Sequence, residues 1–299
     1  MSEDSRVSIH GACRASSCML ALDGLALVEV EGADAADLLQ RVTSQDVVNL
    51  GVGSGARATI LSGKGKLLAF FEVFRAAGDR FLLEVGRDRA TDLVERIDRY
   101  VFAEDVRVRV LPLHGVGAFG PDVVVKTPGF GVTGSADGSY EIWSSSFGET
   151  GRRQWLPQDA LPSKPMGDMQ DWHALRIDAG VPWYGLDADD KTIPLEVGLE
   201  DACDGSKGCY PGQEIVARIR TYGHVNRQLC RLRVESAEAP AHGTLLYDED
   251  DLEAGRVTSA YAVPGGAIVH ALGMLPRALS SLGTELRVGS PDGAKAVVY

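Results

Sequence analysis

The segment Lys207-Gly208-Cys209-Tyr210-Pro211-Gly212-Gln213-Glu214 constrains this chain more than any other stretch of it. Two glycines and a proline restrict the backbone around one ammonium, one thiol, one phenol, one amide and one carboxylate. Gln213 to Ile219 reads as the opening of a helix, with Glu214 favourably placed in its first turn. Cys209 then lies just upstream of a helix N-terminus and close to Lys207, and both features favour thiolate over thiol. Cys209 and Lys207 are therefore the candidate catalytic residues. The competing reading is a Gly-Pro turn whose cysteine merely packs.

The rest of the chain must supply a scaffold for that loop. At 299 residues, 44% hydrophobic and 24% charged, it suits two or three packed subdomains. A net charge of -12 argues against binding nucleic acid through the whole surface. Five cysteines, Cys13, Cys18, Cys203, Cys209 and Cys230, are an odd number in a long chain. They fit free thiols in a reducing compartment, and the cytoplasm is the expected location. The uncharged stretch from Val257 to Pro276 is broken by Pro264-Gly265-Gly266, and its halves read as strands, so no membrane span is expected. The six histidines show no metal-ligand spacing, and no metal site is expected.

Hydrophobic periodicity organises the first third. Ala26 to Val30 alternates as a strand, and Asp34 is placed to cap a helix whose apolar face includes Ala35, Leu38, Leu39 and Val42. Ala58–Leu61, Leu67–Phe74 and Phe81–Val85 read as a meander, followed by a helix from about Asp88 to Tyr100 and a strand at Val106–Val110. This order, β-α-β-β-β-α-β, predicts α+β layers. Gly115 to about Gly151 reads as an irregular antiparallel region, Met169–Ala179 as a helix, and Gly180–Leu199 as an ordered loop. Short strands after about His242 predict a small β-barrel or sandwich, with a domain boundary near residue 240.

The run from Lys207 to Glu214 matches the K-G-C-Y-x-G-Q-E signature at all seven specified positions, and the chain is identified as resembling the YgfZ family, relatives of the glycine-cleavage T-protein. Leu39–Asp46, Arg176–Pro182 and Gly255–Ser259 support the resemblance. It implies an α+β fold: two intertwined α+β subdomains with a folate cavity in residues 1–240, and a C-terminal β-barrel in 241–299. It gives Gly208, Tyr210, Gly212, Gln213 and Glu214 as motif positions around Cys209 and Lys207.

The same resemblance implies tetrahydrofolate or a derivative as cofactor. Pro194-Leu195-Glu196-Val197-Gly198-Leu199 resembles the T-protein segment that carries a pterin-binding carboxylate, so Glu196 is the pterin candidate. A carboxylate can accept two parallel N–H bonds from an amidine edge. Residues 207–233 carry a net +5, which suits the glutamate tail of folate, and Arg227 resembles a T-protein arginine. Trp172 could stack on a pterin, though a helix tryptophan is more often core. The stretch Gly65-Lys66-Leu67-Leu68-Ala69-Phe70 departs from the T-protein pattern, with Ala69 and Phe70 where two aspartates would stand. Neither side chain can move a proton, so aminomethyl transfer by that route is not expected. The function implied is a folate-binding accessory protein for assembly or repair of iron-sulfur proteins, including tRNA-modifying enzymes. Its implied partners are folate and iron-sulfur proteins or their assembly factors, with no nucleic acid or membrane. The rival reading is a folate-dependent one-carbon transferase or demethylase.

Overall fold

The computed structural model of the chain describes residues 11, 13, 15–146, 151–162, 167–263 and 265–299. Pro264, part of the turn predicted to interrupt the uncharged stretch, lies outside them. Among the described residues the strands form two five-stranded sheets and a closed six-stranded barrel.

The predicted meander is present. Strands β1 (Cys18–Ala21), β2 (Leu25–Glu31), β3 (Gly55–Leu61), β4 (Leu67–Ala77), β5 (Arg80–Gly86) and β6 (Arg107–Val110) are interrupted by helices α1 (Ala35–Val42) and α2 (Ala90–Asp98). One sheet has the order β3-β4-β5-β2-β6, all antiparallel. Its core is built from the residues that the periodicity singles out, Val28 and Val30 of β2 with Leu38, Leu39 and Val42 of α1 and Leu93 and Ile97 of α2. Asp34 stands at the N-cap of α1, yet its carboxylate accepts the Asp105 N–H at 2.8 Å and makes no side-chain cap bond to the helix.

The second sheet contains β7 (His114–Phe119), β8 (Gly131–Gly134), β9 (Tyr140–Ser144) and β10 (Gly151–Leu156), in the order β1-β7-β10-β9-β8. Because β1 precedes the first sheet in the chain but pairs with β7, the two subdomains are intertwined. Helix α3 (Met169–Asp178) follows, then the predicted loop with a 3-10 turn at Pro194–Val197, then α4 (Gln213–Tyr222).

The barrel comprises β11 (Arg227–Val234), β12 (Leu245–Tyr247), β13 (Glu253–Ala262), β14 (Val269–Pro276), β15 (Glu285–Val288) and β16 (Ala294–Val298). Its strands therefore begin at Arg227, ahead of the boundary expected near residue 240. The reason is pairing: β11 bonds to β14 along its whole length and to β16, and buries Leu232 and Val234 in the barrel core. Arg176 of α3, 1% exposed, locks the barrel to the loop, donating to Asp187 at 2.7 Å and to Ser259 of β13 at 2.8 Å.

Cys13 and Cys18, expected as free thiols, are joined as a disulfide with Cα atoms 4.7 Å apart. Both are packed in the apolar cluster that holds Leu20 and Phe119, which brings together two thiols only five positions apart. Cys203, Cys209 and Cys230 are free. Among the described residues no helix is long and apolar enough to cross a membrane, and no group of three His, Cys, Asp or Glu side chains is arranged to hold a metal ion.

Candidate functional site

The signature loop runs into α4 as its composition predicts, with Gly212 as the N-cap at φ +80°. Cys209 is exposed, while Tyr210 is buried in a cluster with Leu67, Cys203 and Val216. Burial pushes the Cys203 thiol up and the Cys230 thiol up to about 11. The exposed thiol of this chain is thus the one carried by the signature.

Lys207 is placed differently from its expected role beside the thiol. Its side chain is buried, and Nζ donates to the carbonyl oxygens of Gln40, Thr43 and Gln45 at 2.6, 2.7 and 2.8 Å. Nζ also lies 5.3 Å from the Tyr210 ring centroid. These carbonyls belong to the end of α1 and the turn after it, where helix carbonyls lack internal partners. An ammonium has three protons, and all three are taken. Burial lowers the Lys207 pKa to about 8, while Asp46 and Asp204 oppose that shift and the three acceptors favour the charged form. With its three protons engaged, Lys207 fixes the loop that bears Cys209 to the end of α1. Among the other signature positions, the Gln213 amide reaches the Lys207 carbonyl at 3.5 Å, and Gly208 and Glu214 are exposed.

The chain also holds a cavity whose lining does not include that thiol. Its walls include Phe70, Trp172, Trp183 and Tyr184. Trp172 and Trp183 meet edge to face at 5.2 Å, and Phe70 and Tyr184 are tilted at 6.3 Å. Ala69 also lines the cavity, so the two positions that depart from the T-protein pattern both fall at this site. Trp172, 4% exposed, lines the cavity and also packs in the apolar cluster with Leu25 and Leu82.

Part of the lining is ionic. Glu72 of β4 and Glu84 of β5 are direct cross-strand partners, and both line the cavity. Arg153 of β10, with no solvent exposure, bridges them, donating to Glu84 at 2.9 Å and to Glu72 at 2.6 Å. Trp155 Nε1 donates to Glu84 at 3.0 Å, Ser144 donates to Glu72 at 3.2 Å, and Ser146 also donates to Glu72. Burial, reinforced by the nearby Glu72 charge, pushes the Glu84 carboxyl above its ordinary range against the pull of Arg153.

Glu196 and Arg227, both expected at the folate, are brought together, but as partners of each other. Arg227 Nε donates to Glu196 Oε1 at 3.1 Å, and Glu196 Oε2 accepts the Ile193 N–H at 2.8 Å. Neither residue lines the cavity.

No protein-family model matches the chain. The glycine cleavage system aminomethyltransferase T of Bartonella henselae superposes with a TM-score of 0.86 at 20% identity, covering 98% of this chain and 87% of that one. That likeness establishes the fold. The tRNA-modifying protein YgfZ of Klebsiella pneumoniae is 29% identical over 248 residues, 75% of this chain and 74% of that protein. The mitochondrial iron-sulfur cluster assembly factor IBA57 of Mus musculus is 28% identical over 244 residues, covering 74% of this chain and 67% of that one.

The chain is similar to proteins of the YgfZ family, within the T-protein-like superfamily.

Glu72 and Glu84, which line the cavity, and Arg153, which bridges them, form a cluster that the sequence reading misses. A signal was present: Phe70-Phe71-Glu72-Val73-Phe74 and Leu82-Leu83-Glu84-Val85 each place a carboxylate inside an otherwise apolar strand. A buried acid in such a run needs a partner, and that partner comes from a different sheet.

Proposed function

We propose that this protein is a cytoplasmic, folate-binding accessory factor that supports assembly or repair of iron-sulfur proteins, including enzymes that modify tRNA. The supporting observation is the aromatic cavity whose lining carries Ala69 and Phe70 where a T-protein-like stretch would carry aspartates. Phe70, Trp172 and Trp183 offer faces against which a flat heterocycle can stack, and Glu72 and Glu84 offer acceptors. These residues fit tetrahydrofolate or a derivative.

When bound, that cofactor supplies a carrier for one-carbon units. The chain's own residues bind and orient it, and Ala69 and Phe70 give it no acid or base for aminomethyl transfer at that position. We assign the anionic glutamate tail to Arg227, with Glu196 holding the guanidinium in place. The exposed Cys209 is the reactive position offered to iron-sulfur proteins or their assembly factors, on a loop set by Lys207.

Complementation of a deletion strain tests this reading. Wild-type protein should restore iron-sulfur enzyme activity and Cys209→Ser should not, while folate-dependent methyl release by the purified protein stays at background. Full rescue by Cys209→Ser would remove the thiol role, and turnover in the methyl-release assay would favour a one-carbon transferase.

A further inference from the structure

The paired carboxylates in the cavity lining are an expensive arrangement for a fold to keep. Like charges directly opposite each other on adjacent strands repel, and Glu72 and Glu84 occupy such a register. Both are largely removed from water, at 14% and 7% side-chain exposure. A single guanidinium, Arg153, is shared between them. Arg153 stands behind the lining, and the two arginines that do line the cavity are already engaged: Arg57 pairs with Asp201 at 2.5 Å and Arg89 with Asp92 at 2.6 Å. The Glu72–Glu84–Arg153 cluster therefore holds one more acidic group than basic group. A strand-packing role would be served better by apolar residues, because a buried ionic cluster is at best weakly stabilising.

We propose that Glu72 and Glu84, bridged by Arg153, read the hydrogen-bond donor edge of a heterocycle lodged in the cavity, an amino-amidine edge of the kind a pterin presents. This assignment rests on the folate reading above and gives that site its ring-recognition residues. The carboxylates and the aromatic side chains of Phe70, Trp172 and Trp183 line the same cavity. Arg153 approaches from β10 and Trp155, two residues along the same strand, donates to Glu84, so the carboxylates are oriented from behind. A carboxylate has about four lone-pair positions, and the two bonds to Glu84 leave acceptor capacity. An N–H pair from a ring in the cavity would take it up, and a donor edge also relieves the excess negative charge.

The test is titration calorimetry on the full chain with three probes: tetrahydrofolate, 6-methyltetrahydropterin, which lacks the tail, and its N3-methylated analogue, which lacks one edge donor. Wild-type protein should bind the first two, and the N3-methyl analogue at least tenfold more weakly than its parent. Glu72→Gln should weaken both unblocked ligands by the same factor of ten or more, with its thermal unfolding midpoint recorded alongside. If that variant fails to fold, the N3-methyl comparison on wild-type protein still decides. Folate binding that is indifferent to Glu72→Gln and to N3-methylation would overturn the ring-edge assignment and leave the folate reading standing. Pterin binding that depends on Glu72 without tetrahydrofolate binding would overturn the folate reading and uphold this one. Binding of neither would overturn both.

Discussion

Gly212 lies backbone to backbone on Gly65. A Cβ at Gly212, whose φ is +80°, would stand 2.8 Å from Gly65 Cα and 2.5 Å from the Ser62 carbonyl oxygen. A Cβ at Gly65, whose φ is +70°, would stand 2.9 Å from Ile215 Cβ. The Ser62–Gly65 turn and the start of α4 therefore fit only as two glycines, which is how the signature loop is seated on the first sheet.

Gly212→Ala should cost about 2–4 kcal/mol, from left-handed strain plus displaced backbone. Gly208→Ala, where a Cβ meets nothing within 4 Å, should stay within about 0.5 kcal/mol. Urea unfolding of the two variants measures the contrast, and equal losses would mean that the close approach is not what selects glycine at 212.

Lys207→Ala should destabilise the protein by about 2–4 kcal/mol, because three carbonyl oxygens lose a charged donor. Cys209→Ser, at an exposed position, should leave the unfolding midpoint unchanged. Calorimetry or circular dichroism separates the two. A stable Lys207→Ala protein that still fails complementation would instead give Lys207 a direct chemical role.

Arg227→Ala should weaken tetrahydrofolate binding several-fold and leave the tailless 6-methyltetrahydropterin unaffected, since the arginine is assigned to the tail. Its pair with Glu196 has an arginine side chain 41% exposed, so the stability cost should be about 0.5–1 kcal/mol. Calorimetric titration of the two ligands against the variant checks this. An equal loss for both ligands would move Arg227 to the ring.

His173 should make stability fall with acid. Arg176 Nε donates to His173 Nδ1 at 2.7 Å, so that nitrogen cannot also carry a proton. Burial, and then the Arg176 charge, lower the pKa from 6.5 to about 4. The unfolded chain therefore binds the proton more tightly, and the contribution is present above pH 6.5 and lost as pH falls through about 4. Between pH 7 and 4.5 the wild type should lose about 1–2 kcal/mol more than His173→Gln, after discounting for partial exposure. Urea midpoints at both pH values test the difference, and parallel losses would exclude His173 as the source.

Much of this was legible in one dimension. The apolar faces of α1 and α2, the meander and the terminal strands follow from periodicity, because each periodicity assigns residues to one buried face. The requirement for glycine at 212 and the lack of a proton carrier at 69 and 70 are likewise properties of single residues. The first strand of the barrel was harder to place. The alternation of Leu232 and Val234 with Arg231 and Arg233 says strand, but only pairing with β14 and β16 says which sheet.

What the tertiary structure alone decided is which distant groups share their hydrogen bonds. Lys207 reads as a partner for a thiol two residues away, yet its protons go to carbonyls 162 to 167 positions earlier. Glu196 and Arg227 read as two ligand contacts and meet as a pair. Glu72 and Glu84 become a site only when Arg153 arrives from the other sheet. Secondary structure is set by local backbone and hydrophobic period, which the sequence carries directly. The partner of a buried charge is set by which surfaces the fold brings together out of water, and that is not written at any one position.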